Sequence, residues 1–258
     1  MFLSGNTDGE KKYKRIVSLV PSQTELLAYL YLEKEVIGIT KFCVHPKNWY
    51  HEKPKVGGTK NIHPEKIEAL SPDLIIANKE ENVKEQIEEL AAKYDVWVTD
   101  VNNLEEAIQM IGDIGRLTNR IEEASLLTLD IKEGFEKLNE VVCSKRKIPA
   151  AYFIWKDPWM VAGNHTFIND MMNRAGLENV FADFERYPKI NLDDLKGKTE
   201  LILLSSEPYP FKQKHKAELG KLLPGIKIEM VDGEMFSWYG NRLLKSIDYF
   251  HSFLKNQE

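Results

Sequence analysis

The stretch that most restricts how this chain can fold is NRIEEASLLTLDIKEGFEKLNEVVCSKRK, residues 119–147. Its apolar residues Ile121, Ala124, Ile131, Phe135, Leu138 and Val142 recur at the three-and-four spacing of a helix that buries one stripe, and Leu126, Leu127 and Leu129 widen the stripe. Asn119 stands where a cap is needed and Glu122 follows three residues later. The far end closes on Lys145, Arg146, Lys147 and then Pro149. About 24 helical residues rising about 1.5 Å each make a rod of ~36 Å, longer than one small α/β lobe is wide. Such a rod at mid-sequence predicts two lobes that share it: 14–118 as the N-terminal lobe, 119–147 as the linking helix and 148–258 as the C-terminal lobe. A long crossover helix inside a single sheet is the other arrangement the pattern allows.

Short apolar runs and helical spacing alternate on both sides of this helix. Before it, Ile16–Val20, Val36–Ile39, a run within SPDLIIANKEEN and Val96–Val98 are expected strands, with helices after Pro21, from Pro64, over 83–93 and over 104–117. After it, 150–155, 160–162, 201–205 and 227–231 are expected strands, with helical stretches at 166–175, 191–195, 212–222 and 241–254. The alternation predicts an α/β fold of two Rossmann-like lobes with mostly parallel sheets, joined by the one long backbone helix and leaving a ligand cleft between the lobes.

Composition narrows the function. The net charge is −5 with acids and bases intermixed, so neither nucleic acid nor an anionic membrane surface is an expected partner. No apolar run approaches the ~20 residues of a spanning helix, which excludes insertion by a single helix. Residues 1–13 are polar and expected to be loose. The start, MFLSGNTDGEKKYKR, has neither the apolar core of a secretory signal nor a cysteine for lipid attachment. Two localisations stay open: periplasmic or extracytoplasmic, with a signal already removed, or cytoplasmic. Cys43 and Cys143 are too few for a disulfide framework and are expected as free thiols.

In open parallel sheets ligands gather beyond the carboxyl ends of the strands. In the second lobe those ends carry Trp155, Trp159, Tyr209, Phe211, Phe236, Trp238 and Tyr239, an expected aromatic wall for an organic ligand, with Glu207 on the same rim. In the first they carry Cys43, His45, Lys79 and Glu80. Ligand contact is expected from Cys43, His45, Lys79, Glu80, Trp155, Trp159, Glu207, Tyr209, Phe236 and Trp238, with the first-lobe set facing the second. Several of these aromatics could instead plug the sheet end. A metal held directly by Cys43, His45 and rim carboxylates or histidines is conceivable, although there is no Cys-x-x-Cys or His-Glu-x-x-His pairing. Cys43 with His45 as a nucleophile and base would make the chain an enzyme, but nothing in the sequence supplies an orienting group or oxyanion hole.

RIVSLVPSQTELLAYL, VIGIT, VGGTKNIHPEKIEALSPDLIIAN, the lobe-joining helix, GLENVF, RYPKINLDDL and the late LILLS strand together resemble the helical-backbone class of periplasmic-binding-protein-like receptors. These serve bacterial ABC transporters for cobalamin, haem and ferric siderophores. FCVHP and DGEMFSWYG are similar to members without an assigned ligand. The resemblance implies a non-enzymatic, monomeric protein, without a cofactor of its own, that holds a metal-bearing small molecule between two lobes which move little. It also implies that one acidic residue on each lobe, here Glu65 and Asp193, meets the transporter permease. Both acids also sit near helix starts, where the helix dipole alone favours a carboxylate. A cytosolic enzyme or metal-dependent hydrolase using Cys43, His45 and a carboxylate such as Glu80, or a cytosolic carrier or sensor on the same scaffold, are the alternatives.

Overall fold

A computed structural model describes residues 12–257, arranged as two compact units. The first comprises the chain up to Val101, Glu105–Asp130 and Tyr239–Arg242; the second comprises Asn102–Leu104, Ile131–Trp238 and the chain from Leu243. For residues 1–11 the expectation of a loose start lies outside the described residues. Tyr13, by contrast, is buried and its hydroxyl donates to Asp95 Oδ2 at 3.1 Å.

The first unit holds β1 (Ile16–Ser18), α1 (Pro21–Tyr29), β2 (Val36–Ile39), α2 (Lys47–Glu52), α3 (Pro64–Leu70), β3 (Leu74–Asn78), α4 (Lys84–Ala91) and β4 (Val96–Thr99). Its four strands run parallel in the order β2-β1-β3-β4. Every residue of LIIAN in β3 is buried, as a central strand covered on both faces requires. Pro21 and Pro64 each open a helix at its first turn, where a missing N–H costs nothing. Val17, Leu19, Ile67, Ile75 and Val96 form the core under the helices.

Two helices follow, α5 (Leu104–Thr118) and α6 (Ile121–Cys143), the second being the long helix expected from the sequence. Asn119 does not cap α6. It lies in the left-handed region at φ 56° and closes α5, a conformation asparagine tolerates better than most side chains. The buried stripe of α6 is Ala124, Leu127, Ile131, Phe135, Leu138 and Val142, while Leu126 and Leu129 face out. The stripe is therefore narrower than the sequence suggests.

In the second unit, β5 (Ile148–Trp155), β6 (Met160–Val161), α7 (Phe167–Arg174), β7 (Leu177–Asn179), a 3-10 turn (Leu192–Leu195), β8 (Leu201–Ser205), α8 (Gln213–Leu222), β9 (Lys227–Val231), α9 (Glu234–Ser237) and α10 (Arg242–Lys255) complete the chain. The sheet order is β6-β5-β8-β9. The short β7 also pairs with β5, along residues 148–150, and β6 runs antiparallel to the end of β5. Thr166 caps α7 by accepting the Asn169 N–H at 3.2 Å. Ala151, Phe153, Ile202, Leu204 and Leu219 lie at the centre of this unit's core. The sequence had not indicated α2, β7 or α9.

Candidate functional site

At the carboxyl end of the first sheet, side-chain polar groups replace the ladder and fix the loops. Asn78 Oδ1 accepts the N–H groups of Glu80 (2.8 Å) and Glu81 (3.1 Å), and the Asn78 N–H donates to Asn82 Oδ1 at 2.8 Å. Gln23 Nε2 reaches Thr99 Oγ1 at 2.6 Å, and Asn78 Nδ2 reaches the same oxygen at 3.1 Å. These side chains are buried, so each bond formed avoids the desolvation cost of an unmet polar group. The Lys79 ammonium is paired with Asp100 at 2.6 Å on the surface, and Glu80 is half-buried.

The connection after β2 alternates its side chains. Phe42 and Val44 are exposed, while Cys43 between them has no exposed surface. The Cys43 thiol sits 3.1 Å from Thr24 Oγ1 and 3.2 Å from Thr40 Oγ1, and burial pushes its pKa up. A nucleophilic cysteine needs the opposite shift, so the Cys43–His45 nucleophile is not built here. His45 is half-buried and Tyr50 lies at the surface with the Lys55 ammonium 5.0 Å from its ring centroid. Gly57, at φ 116°, turns the chain back where a Cβ would lie 2.4 Å from the Asn61 carbonyl oxygen.

The second sheet ends in an aromatic array. Trp155, exposed, meets Tyr209 edge-on at 5.5 Å; Tyr209 packs on Phe211 at 4.7 Å; Phe211 stacks on Trp159 at 6.3 Å. His215 closes the array from α8, its Nδ1 accepting the Lys212 N–H at 3.0 Å. Lys156 crosses the Trp159 face at 5.1 Å and pairs with Glu218. Trp159 and Tyr209 are half-buried, each with one side against the core. Phe236 is wholly buried between Tyr152 and Phe250 and is part of the core, so in this structure it supports the surface without forming it.

Beside this array stands a carboxylate held from one side. Glu207 Oε1 accepts the Ser237 hydroxyl at 2.6 Å and the Trp238 indole N–H at 2.8 Å. Ser205 Oγ, which receives the Tyr152 hydroxyl at 2.9 Å, donates to the Glu207 carbonyl at 2.5 Å. Burial raises the Glu207 pKa, with Glu234 and Asp232 adding to the rise and the Ser237 and Trp238 bonds opposing it. The cis peptide bonds His45–Pro46, Asp157–Pro158 and Glu207–Pro208 all lie in these carboxyl-end loops.

The sequence-expected residues thus divide by unit. Trp155, Trp159 and Tyr209 are in mutual or shared contact, and Glu207 and Trp238 are bonded to each other. Phe42 and Val44, exposed on the FCVHP loop, were not singled out as ligand contacts, although alternation along an extended segment is the signal that separates them from Cys43. Among the described residues no three of His, Cys, Asp and Glu converge to hold a metal ion. Glu65 and Asp193 are exposed, each beside a basic neighbour: His63 at 3.3 Å and Lys196 at 2.6 Å.

Parallel sheets whose carboxyl ends carry fixed aromatic and polar loops, in two α/β units, define a protein that binds a small molecule. The chain belongs to the periplasmic binding protein family, whose pattern matches residues 16–216. It is a solute-binding protein and not an enzyme. An uncharacterized ABC transporter substrate-binding lipoprotein of Bacillus subtilis is 24% identical over 254 residues, which span 93% of this chain and 79% of that protein. A vitamin B12-binding protein of Vibrio parahaemolyticus is 24% identical over 208 residues, covering 80% of this chain and 75% of its own. The solved structure of a periplasmic haem-binding protein from Roseiflexus sp. RS-1 superposes with a TM-score of 0.81 at 19% identity, over 95% of this chain and 99% of that one. No helix of the described residues is long and apolar enough to cross a membrane.

Proposed function

We propose that this protein binds a metal-bearing organic small molecule of the cobalamin, haem or ferric-siderophore class and delivers it, as a monomer, to an ABC-transporter permease. The observation that carries the reading is the aromatic array at the carboxyl end of the second sheet, where Trp155, Tyr209 and Trp159 present surface and pack over the buried Phe211. A flat macrocycle or chelate gains most from such a surface, because large apolar area is covered with little side-chain freedom left to lose. Trp155, Trp159, Tyr209 and Glu207 serve the ligand in the second unit, and Trp238, itself buried, acts through its bond to Glu207. Phe42, Val44, His45, Lys79 and Glu80 are the corresponding loop residues of the first unit, with Cys43 and Phe236 supporting from beneath.

Relatives named for vitamin B12 and for haem add support at the level of ligand class. Thermal unfolding in the presence of cyanocobalamin, haem and ferric chelates tests the reading. A ligand at 100 times its Kd adds ~2.7 kcal/mol to native stability, so at least one probe should raise Tm by several degrees. An unmoved Tm with every probe at saturation would overturn it. For delivery, Glu65 and Asp193 are the docking carboxylates. Reversing both, as Glu65→Lys with Asp193→Lys, should abolish permease binding and leave ligand affinity intact.

A further inference from the structure

The loops at the carboxyl end of the second sheet are acidic. Residues 155–159, 206–211 and 232–238 contain Asp157, Glu207, Asp232 and Glu234 against the single cation Lys156, and Lys156 is taken by Glu218. Glu207, Asp232 and Glu234 are half-buried and Asp157 is exposed. Both side-chain hydrogen bonds of Glu207 fall on Oε1, and no described residue bonds Oε2. Ser237 and Trp238 fix the plane of the carboxylate, while Gly233 passes so close that a Cβ there would lie 2.6 Å from Glu207 Cγ. A carboxylate with one oxygen saturated and the other unmet, oriented from behind, is an acceptor waiting for a donor.

We propose that Glu207 selects the cargo by charge: its unbonded oxygen accepts a hydrogen bond from an amide or other N–H group on the cargo periphery, and with Asp232 and Glu234 beside it repels cargo whose periphery carries carboxylates. The inference rests on the binding function proposed above and narrows its ligand class to neutral, donor-bearing molecules. Discrimination of this kind comes from repulsion of the wrong ligand as much as from attraction of the right one. Burial raises the carboxyl pKa and so works against the ionised form, but it also strengthens the field that form exerts on a bound neighbour, and it is the geometry of the unbonded oxygen that carries the assignment.

Titration calorimetry with two probes tests it: cyanocobalamin, whose periphery carries neutral amides, and haem, whose periphery carries two propionates. The wild type should bind cyanocobalamin at least tenfold more tightly than haem. Glu207→Gln is isosteric and keeps an acceptor for Trp238. It should weaken cyanocobalamin a few-fold and strengthen haem, by about tenfold for the lost repulsion. Opposite movement of the two affinities is the signature, because a merely misfolded or loosened site would lower both. Haem binding the wild type as tightly as cyanocobalamin, or a selectivity ratio unchanged in Glu207→Gln, would overturn the proposal while leaving the binding function standing. Binding of neither probe would remove cobalamin and haem from the ligand class, and the charge-selection proposal with them.

Discussion

Glu25 and Arg242 stand 217 residues apart in sequence and meet as a bidentate pair, with Nε and Nη2 of the guanidinium each 2.8 Å from a carboxylate oxygen. Both residues are buried, Glu25 on α1 and Arg242 at the start of α10. The pair ties the short return Tyr239–Arg242 to the first unit, where Tyr239 is buried against Ser22 and Gln23. A buried pair of this geometry adds little over an apolar replacement, but losing one partner strands the other charge away from water. Glu25→Gln or Arg242→Met alone should therefore cost ~3–5 kcal/mol, read by urea unfolding. Glu25→Leu combined with Arg242→Met should recover most of that loss. Additive losses in the double variant would contradict it.

Acidity should act on Glu207 with a definite sign. Its folded-state pKa lies above the ordinary carboxylate value, chiefly through burial. The folded protein thus takes up the proton more readily than the unfolded chain does. The ionised form costs stability at neutral pH, the cost shrinks as pH falls through the folded-state pKa, and it is absent once both states are protonated. Glu207→Gln should have the higher Tm at pH 7, and the two melting curves should converge below about pH 4. A difference in Tm independent of pH would show that the carboxylate is not the cause.

Much of the architecture was legible because it is written in local patterns. LIIA and LILL are continuous apolar runs, each followed by a polar residue, and they lie in the buried strands Leu74–Asn78 and Leu201–Ser205. The stripe of α6 appears at its expected positions from Ala124 to Val142. What the sequence hides is orientation and distant partnership. Asn119 fits the start of one helix and the end of another, and only its backbone angle decides between them. Nothing in the local pattern of α6 shows that a Cβ on Gly134 would lie 2.4 Å from Ile247 Cδ1, so that its place is a notch that lets α10 pack closely. No periodicity announces that Arg242 will find Glu25, or that Glu207 will receive Trp238. At the candidate site the loops were legible from the strand ends, but which face of each loop is buried was not, as Phe42, Cys43 and Val44 illustrate.

The two thiols should differ sharply in reactivity. Cys143 is exposed near the end of α6, whereas Cys43 is enclosed between Thr24 and Thr40 with its pKa raised by burial. Ellman's reagent should modify one thiol in the native protein within minutes and the second only after unfolding. Cys143→Ser should abolish the fast phase. A fast phase surviving in that variant would place Cys43 within reach of solvent and reopen its part in chemistry.

Two glycines of the second unit make a paired test of how tightly the Glu207 carboxylate is positioned. A Cβ on Gly233 would lie 2.5 Å from Ser205 Oγ, 2.6 Å from Glu207 Cγ and 3.1 Å from the Glu207 backbone nitrogen. None of these is the loose end of a flexible chain, since Ser205 Oγ is committed to Tyr152 and to the Glu207 carbonyl. Gly233→Ala must displace the β8 loop or α9, at ~1–3 kcal/mol by analogy with overpacked cores. Gly220, inside α8, has nothing within 4 Å of its Cβ direction. Gly220→Ala should stabilise by ~0.5–1 kcal/mol, the ordinary helix preference of alanine over glycine. Opposite signs are therefore expected from the same chemical change. Because the Trp238 indole N–H is bonded to Glu207, Gly233→Ala should also shift tryptophan emission, and Gly220→Ala should not. Gly233→Ala with wild-type stability and emission would mean that the backbone yields there at no cost, and that the carboxylate is not held in place by this contact.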